Sequence, residues 1–104
     1  MDAIKRQKIE AAGGRVVTVA EFLELTPEEE AIVEIRVALS KSLKKMRQQE
    51  RLSQQKLAEK TNSSQSRVAK MEAADRSVSI DLLIKSLLSL GATREDIAAA
   101  ISGN

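Results

Sequence analysis

The chain has 104 residues, 42% of them hydrophobic and 31% charged, enough for one domain with a modest core and well away from the composition of disordered chains. It contains no cysteine and no histidine, which excludes disulfides, a zinc site of the usual ligand types, a thiol nucleophile and an imidazole base. The net charge of +2 conceals an uneven distribution, with −3 over residues 1–40, +6 over residues 41–76 and −1 over residues 77–104. A basic middle flanked by acidic ends is expected when one segment faces phosphate; charge alone fits solvated helix faces equally well. No apolar run approaches the roughly 18 residues of a membrane span, and MDAIKRQKIE lacks the apolar middle of a signal peptide. The expectation is a cytoplasmic protein with no membrane contact and no cofactor or metal.

Taken in chain order, residues 1–25 read as an N-terminal extension and residues 26–104 as the folded domain. Within the extension Gly13-Gly14 is a break, RVVTV fits a short strand, and Thr18 with Glu21 has the capping-box spacing that opens a helix at TVAEFLEL. TPEEE then predicts a long helix, with Thr26 as cap, Pro27 at the first helical position and Glu29 as the reciprocal capping carboxylate. Ile32, Ile35, Leu39, Leu43 and Met46 recur at spacings of three and four and form its core face. Lys41, Lys44, Lys45 and Arg47 load its later turns with positive charge, and it ends near Gln49.

LSQQKLAEK predicts a second, short helix capped by Ser53, with Leu57 and Ala58 inward. Residues 61–63 form a tight turn, and Ser64 caps a third helix from about Gln65 to Ala73 with Val68 and Met71 as its buried stripe. Ser79 caps a fourth helix, which Gly91 terminates as a left-handed residue. Thr93 caps the last, with Asp96 at the reciprocal position. The domain is therefore expected to be an all-α bundle of five helices.

Rotation by about 100° per residue places Ser66, Ala69, Lys70 and Ala73 of the third helix outward when Val68 and Met71 point inward. Gln65 then projects from the first turn and Arg67 lies to one side. Small residues permit close approach, glutamine can pair bidentately with adenine, and lysine can donate to guanine. An arbitrary helix with this face is usually just solvated. The second helix, set before it by a turn of about three residues, changes that balance because this is helix-turn-helix spacing.

LSQQKLAEKTNSSQSRVAKMEAA resembles the signature of the Xre family, the phage Cro and repressor type of helix-turn-helix, matching it at Leu52, Ser53, Gln54, Leu57, Ala58, Ser64, Ser66, Val68 and Glu72. The resemblance covers about residues 30–102 and implies a lambda-repressor-like bundle. Asn62 stands where the family has a turn glycine, which asparagine tolerates because it visits positive φ more readily than most residues. Thr61 and Ser63 stand where the family has aliphatic residues, so packing between the two helices is expected to be weaker.

Carried over residue by residue, the resemblance implies that Gln65, Ser66 and Lys70 read base edges and that Gln54, Arg67 and Arg76 hold phosphates, with Lys44 a further phosphate ligand. Lys70 reaches a phosphate as readily as a base. Arg47 and Glu72 match positions that pair to tie the first helix to the end of the third. The implied function is a sequence-specific regulator that binds a palindromic duplex operator as a homodimer. Ile97 with Ile101, or residues 15–25, are the two candidate dimer surfaces.

Two S-x-x-K spacings, Ser42 to Lys45 and Ser53 to Lys56, fit serine acyl-enzymes, but chance matches are unsurprising in a chain rich in Ser and Lys, and no enzyme is expected. Single-stranded nucleic acid is disfavoured because stacking platforms need aromatics, and the chain has one Phe and no Tyr or Trp. A protein-interaction module of the same fold would lack the basic stripe. Glu21, Glu24, Glu28, Glu29 and Glu30 sit near Phe22, Leu23 and Leu25. This pattern and the chain length resemble HigA-type antitoxins, which neutralise a small basic RelE-like toxin and repress their own operon. A stand-alone Xre-type regulator, with the glutamates simply solvated, fits the same residues.

Overall fold

The computed structural model describes residues 24–103, and the expected strand at RVVTV and helix at TVAEFLEL lie outside them. The chain divides into two compact units, residues 1–32 and 33–104. Five helices follow in order, α1 Pro27–Gln49, α2 Gln54–Lys60, α3 Gln65–Glu72, α4 Ile80–Ser89 and α5 Arg94–Ser102, and no strand occurs among the described residues.

Each helix begins where a side chain replaces a missing intrahelical partner. Thr26 and Glu29 exchange hydrogen bonds at the head of α1, the amide of Thr26 donating to Oε1 of Glu29 at 2.9 Å and the amide of Glu29 to Oγ1 of Thr26 at 3.1 Å. The hydroxyls of Ser53, Ser64 and Ser79 accept from the amides of Lys56, Arg67 and Leu82, and Thr93 with Asp96 forms a full capping box on α5.

Helices α1 to α4 all end in the same left-handed closure. The amide two residues beyond the C-cap donates to the carbonyl five positions back: Leu52 to Arg47, Ser63 to Ala58, Asp75 to Lys70 and Ala92 to Leu87. The residue between takes positive φ in every case: Arg51 at 58°, Asn62 at 56°, Ala74 at 56° and Gly91 at 101°. This paired arrangement satisfies the orphan carbonyls of each last turn. Gly91 and Asn62 behave as their chemistry predicts, whereas Arg51 and Ala74 carry a Cβ into a region that disfavours it.

The core is built by Leu39 and Leu43 of α1, Leu57 and Ala58 of α2, Val68 and Met71 of α3, Val78 of the following loop, Leu83 and Leu87 of α4, and Leu90 and Ala92 at the α4–α5 corner. Ile35 and Met46 pack against it half-buried, but Ile32 is 45% exposed. The inward stripe of α1 therefore starts at Ile35, one turn later than its spacing predicts. Small Ala58 is buried on α2, and α2 and α3 pack against one another.

Thr61 does not reach for an aliphatic neighbour; its hydroxyl donates to the carbonyl of Leu57 at 2.8 Å. Ser63 buries its hydroxyl without a partner among the described residues, as does Ser40 on α1. Polar atoms thus occupy part of the helix-turn-helix joint, a cost offset by the aliphatic core beneath it.

Candidate nucleic-acid interface

Geometry around α3 follows from which of its residues the core claims. Val68 and Met71 are fully buried, while Gln65, Ser66, Arg67, Ala69, Lys70 and Ala73 are all exposed. The outer side is therefore a narrow band of amide, hydroxyl and cation with two alanines between. No apolar side chain longer than alanine interrupts it.

On one flank, Ser64, Ser66, Arg67 and Lys70 line a groove of about 420 Å³ with Ser77, Val78, Ser79 and Leu82. Ser64 and Ser79 each use an oxygen lone pair to cap a helix, which leaves the O–H proton of each available to a ligand. Ser66 adds a third hydroxyl, and the Arg67 and Lys70 head groups add charge. A groove lined by donors and cations suits an oxyanion such as a diester phosphate. Ser77 is the exception, since both its amide and its hydroxyl donate to Oδ1 of Asp75, at 2.8 and 2.6 Å. Those bonds hold the Asp75 carboxyl below the usual aspartate range, with Lys70 and Arg36 nearby adding to the effect. They also fix the loop that joins α3 to α4.

Arg36 of α1 supports the same loop by donating from Nη1 to the carbonyl of Val78. Neither this tie nor the groove contribution of Ser77 and Ser79 is visible in sequence, because both depend on how the α3–α4 loop folds back. The serine density around residues 77–79 was the available signal.

Outside the lining of that groove, Arg47 and Glu72 form an ion pair, with Nη2 donating to Oε1 at 3.0 Å and Nε to Oε2. Nη1 of Arg47 also donates to the carbonyl of Leu52 at 2.8 Å. One guanidinium thus joins the end of α1, the α1–α2 turn and the last residue of α3. The hydrogen bond to Glu72 raises the Arg47 pKa above its already high ordinary value. Gln54 joins the cluster, its Nε2 donating to Oε1 of Glu72 at 3.1 Å. Its side chain is therefore oriented from within the protein, and one of the two Nε2 hydrogens remains for an external acceptor.

The remaining residues of interest lie apart from the groove. Gln65 projects from the first turn of α3, Arg76 is exposed in the loop after it, and Lys44 is exposed on α1. Ser53, of the second S-x-x-K spacing, caps α2 through the Lys56 amide. Among the described residues no group of three or more acidic, Cys or His side chains is placed to hold a metal ion, and no helix is long and apolar enough to cross a membrane.

A short helix set against an exposed helix through a left-handed turn, with a cationic groove beside the latter, defines a helix-turn-helix unit within an all-helical bundle. A family model described as helix-turn-helix matches residues 43–97, more than half of the chain. The chain belongs to that family, of the Cro and repressor type, and is a DNA-binding transcriptional regulator. No curated protein and no solved structure matches it.

Proposed function

We propose that this protein is an autorepressor that binds a palindromic duplex operator as a homodimer, with residues 26–104 as its DNA-binding domain and residues 1–25 as an extension. The observation that carries the reading is the exposed band of α3, Gln65, Ser66 and Lys70, beside a groove whose lining donates hydrogen bonds and positive charge. Gln65 and Ser66 read base edges from the major groove, and Lys70 reaches either a guanine or a phosphate. Arg67, Arg76 and Lys44 neutralise backbone phosphates, and the Glu72-oriented Gln54 amide clamps another at the head of α2.

A dimer holding two such helices reads half-sites about one helical turn, roughly 34 Å, apart. Selection of bound sequences from a random duplex pool tests this. Enrichment of a two-fold symmetric motif with that spacing is expected; a pool that stays random after repeated rounds contradicts it.

The finer role is that of an antitoxin. Glu24, Glu28 and Glu29 are exposed beside exposed Ile32, a mixture of negative charge and apolar surface suited to a small basic toxin of the RelE-like type. Without such a partner the same residues serve a stand-alone cytoplasmic regulator. Sequencing the adjacent reading frame separates the two, since the antitoxin role requires a small basic protein encoded there and fails without one.

A further inference from the structure

Helix α5 has no fully buried residue; Ile97 and Ala100 lean half-buried on the core. Beside it lies a groove of about 270 Å³, lined from α1, α4, the α4–α5 corner and α5. Met46, Leu87 and Ile97 give it apolar walls, and the short side chains of Ala92 and Ala100 leave its volume unfilled. Lys45 of α1 and Asp96 of α5 add one charge of each sign. We infer that this groove binds a small aliphatic α-amino acid, with its carboxylate on Lys45, its ammonium on Asp96 and its side chain on the apolar walls. The site goes beyond the operator reading and does not depend on it.

The two charges select a zwitterion. Lys45 and Asp96 share the groove without forming an ion pair with each other, and neither pairs with another described residue. Asp96 engages Oδ2 with the Thr93 amide at 2.8 Å, which leaves lone pairs on Oδ1 for an ammonium. The Lys45 head group is exposed and brings three donors to a carboxylate. An aliphatic acid satisfies only the lysine, and an aliphatic amine only the aspartate. A residue within a peptide carries neither charge at its α-carbon. A free α-amino acid carries both there, next to its side chain.

Size and position agree with that ligand. The volume falls just below the roughly 300 to 1,000 Å³ of sites for drug-sized molecules, so the occupant is smaller than those. Leu87 is 1% exposed and belongs to the main core, so the apolar wall is part of the packed bundle. No residue lining this groove lines the one beside α3, and an amino acid bound here leaves the DNA-facing band uncovered.

Titration calorimetry and amide NMR on the full chain, without DNA, test the inference with L-leucine, L-isoleucine and L-methionine as probes. At least one is expected to bind and to shift the resonances of Met46, Ile97 and Ala100. Isocaproate, which is leucine without its amine, and isoamylamine, which is leucine without its carboxylate, are each expected to bind at least ~5-fold more weakly. Lys45→Met and Asp96→Asn are expected to weaken binding by a similar factor, and Ala100→Leu to abolish it by filling the groove. Circular dichroism melts establish that each variant is folded, and Lys45→Met stands apart from the α5 cap that Asp96→Asn alters. Absence of binding by all three amino acids up to ~10 mM overturns the inference. So does equal affinity for either truncated compound, or unchanged affinity in either Lys45→Met or Ala100→Leu.

Discussion

Nη2 of Arg47 lies 3.0 Å from Oε1 of Glu72, and the same carboxylate oxygen accepts from Nε2 of Gln54 at 3.1 Å. With side chains only 13% and 5% exposed, the pair is nearly removed from water, so deleting one partner leaves the other buried and uncompensated. Arg47→Ala or Glu72→Ala is expected to lower unfolding free energy by about 3 kcal/mol in urea titration. Replacing both with methionine is expected to recover most of that loss, because two apolar chains leave no charge behind. Equal losses in single and double variants would show that packing, rather than the charge pair, holds this joint.

The left-handed closures make a second, smaller prediction. Ala74 at φ 56° carries a Cβ where glycine would be unstrained, so Ala74→Gly is expected to stabilise by up to about 1 kcal/mol after the unfolded-state entropy of glycine is counted. Ala74→Val adds β-branching at the same φ and is expected to destabilise. Thermal melts of the two variants, if shifted in the same direction, would contradict the account of this closure.

Helix starts were legible because capping is local: Thr26, Ser53, Ser64, Ser79 and Thr93 lie within three residues of the amides they accept from. The outward placement of Gln65, Ser66 and Lys70 was legible for a related reason, since two buried residues fix the rotation of an eight-residue helix. Gly91 and Asn62 marked two helix ends by their chemistry, and the end of α1 near Gln49 was legible as well. At Arg51 and Ala74 the closing hydrogen bonds and the core contacts impose the left-handed state on residues that do not prefer it. Of the contacts across the fold, the Arg47–Glu72 pair was legible through the family resemblance, whereas the Arg36 tie to Val78 and the serines that complete the α3 groove were not. Gln54 was legible as the first residue of α2, but not its bond to Glu72, which spans 18 positions.

Acid should loosen the start of α5. The Asp96 carboxyl is held below its ordinary range by the Thr93 amide and hydroxyl. A depressed carboxyl contributes stability that is present above its unfolded pKa and is lost as pH falls through the folded value. Asp96→Asn removes the titration while keeping an acceptor. Its melting temperature is expected to lie below wild type at neutral pH, with the two curves converging below the ordinary aspartate range. Curves that stay parallel throughout would rule out this linkage.

Phosphate contacts should appear in the salt dependence of binding. Each phosphate neutralised contributes about 0.9 to the slope of log affinity against log salt. Arg67→Ala is expected to reduce the slope by about 1 on operator and random duplex alike. An unchanged slope would remove Arg67 from the phosphate ligands of the α3 groove.

Base reading by the outer side of α3 is the central claim, and Gln65→Ala probes it most directly. Fluorescence anisotropy on the selected operator and on a scrambled duplex, at one fixed salt concentration, separates reading from general attraction. The predicted result is a loss of about 1 to 3 kcal/mol on the operator with little change on the scrambled sequence. An equal loss on both, or none on either, would contradict it.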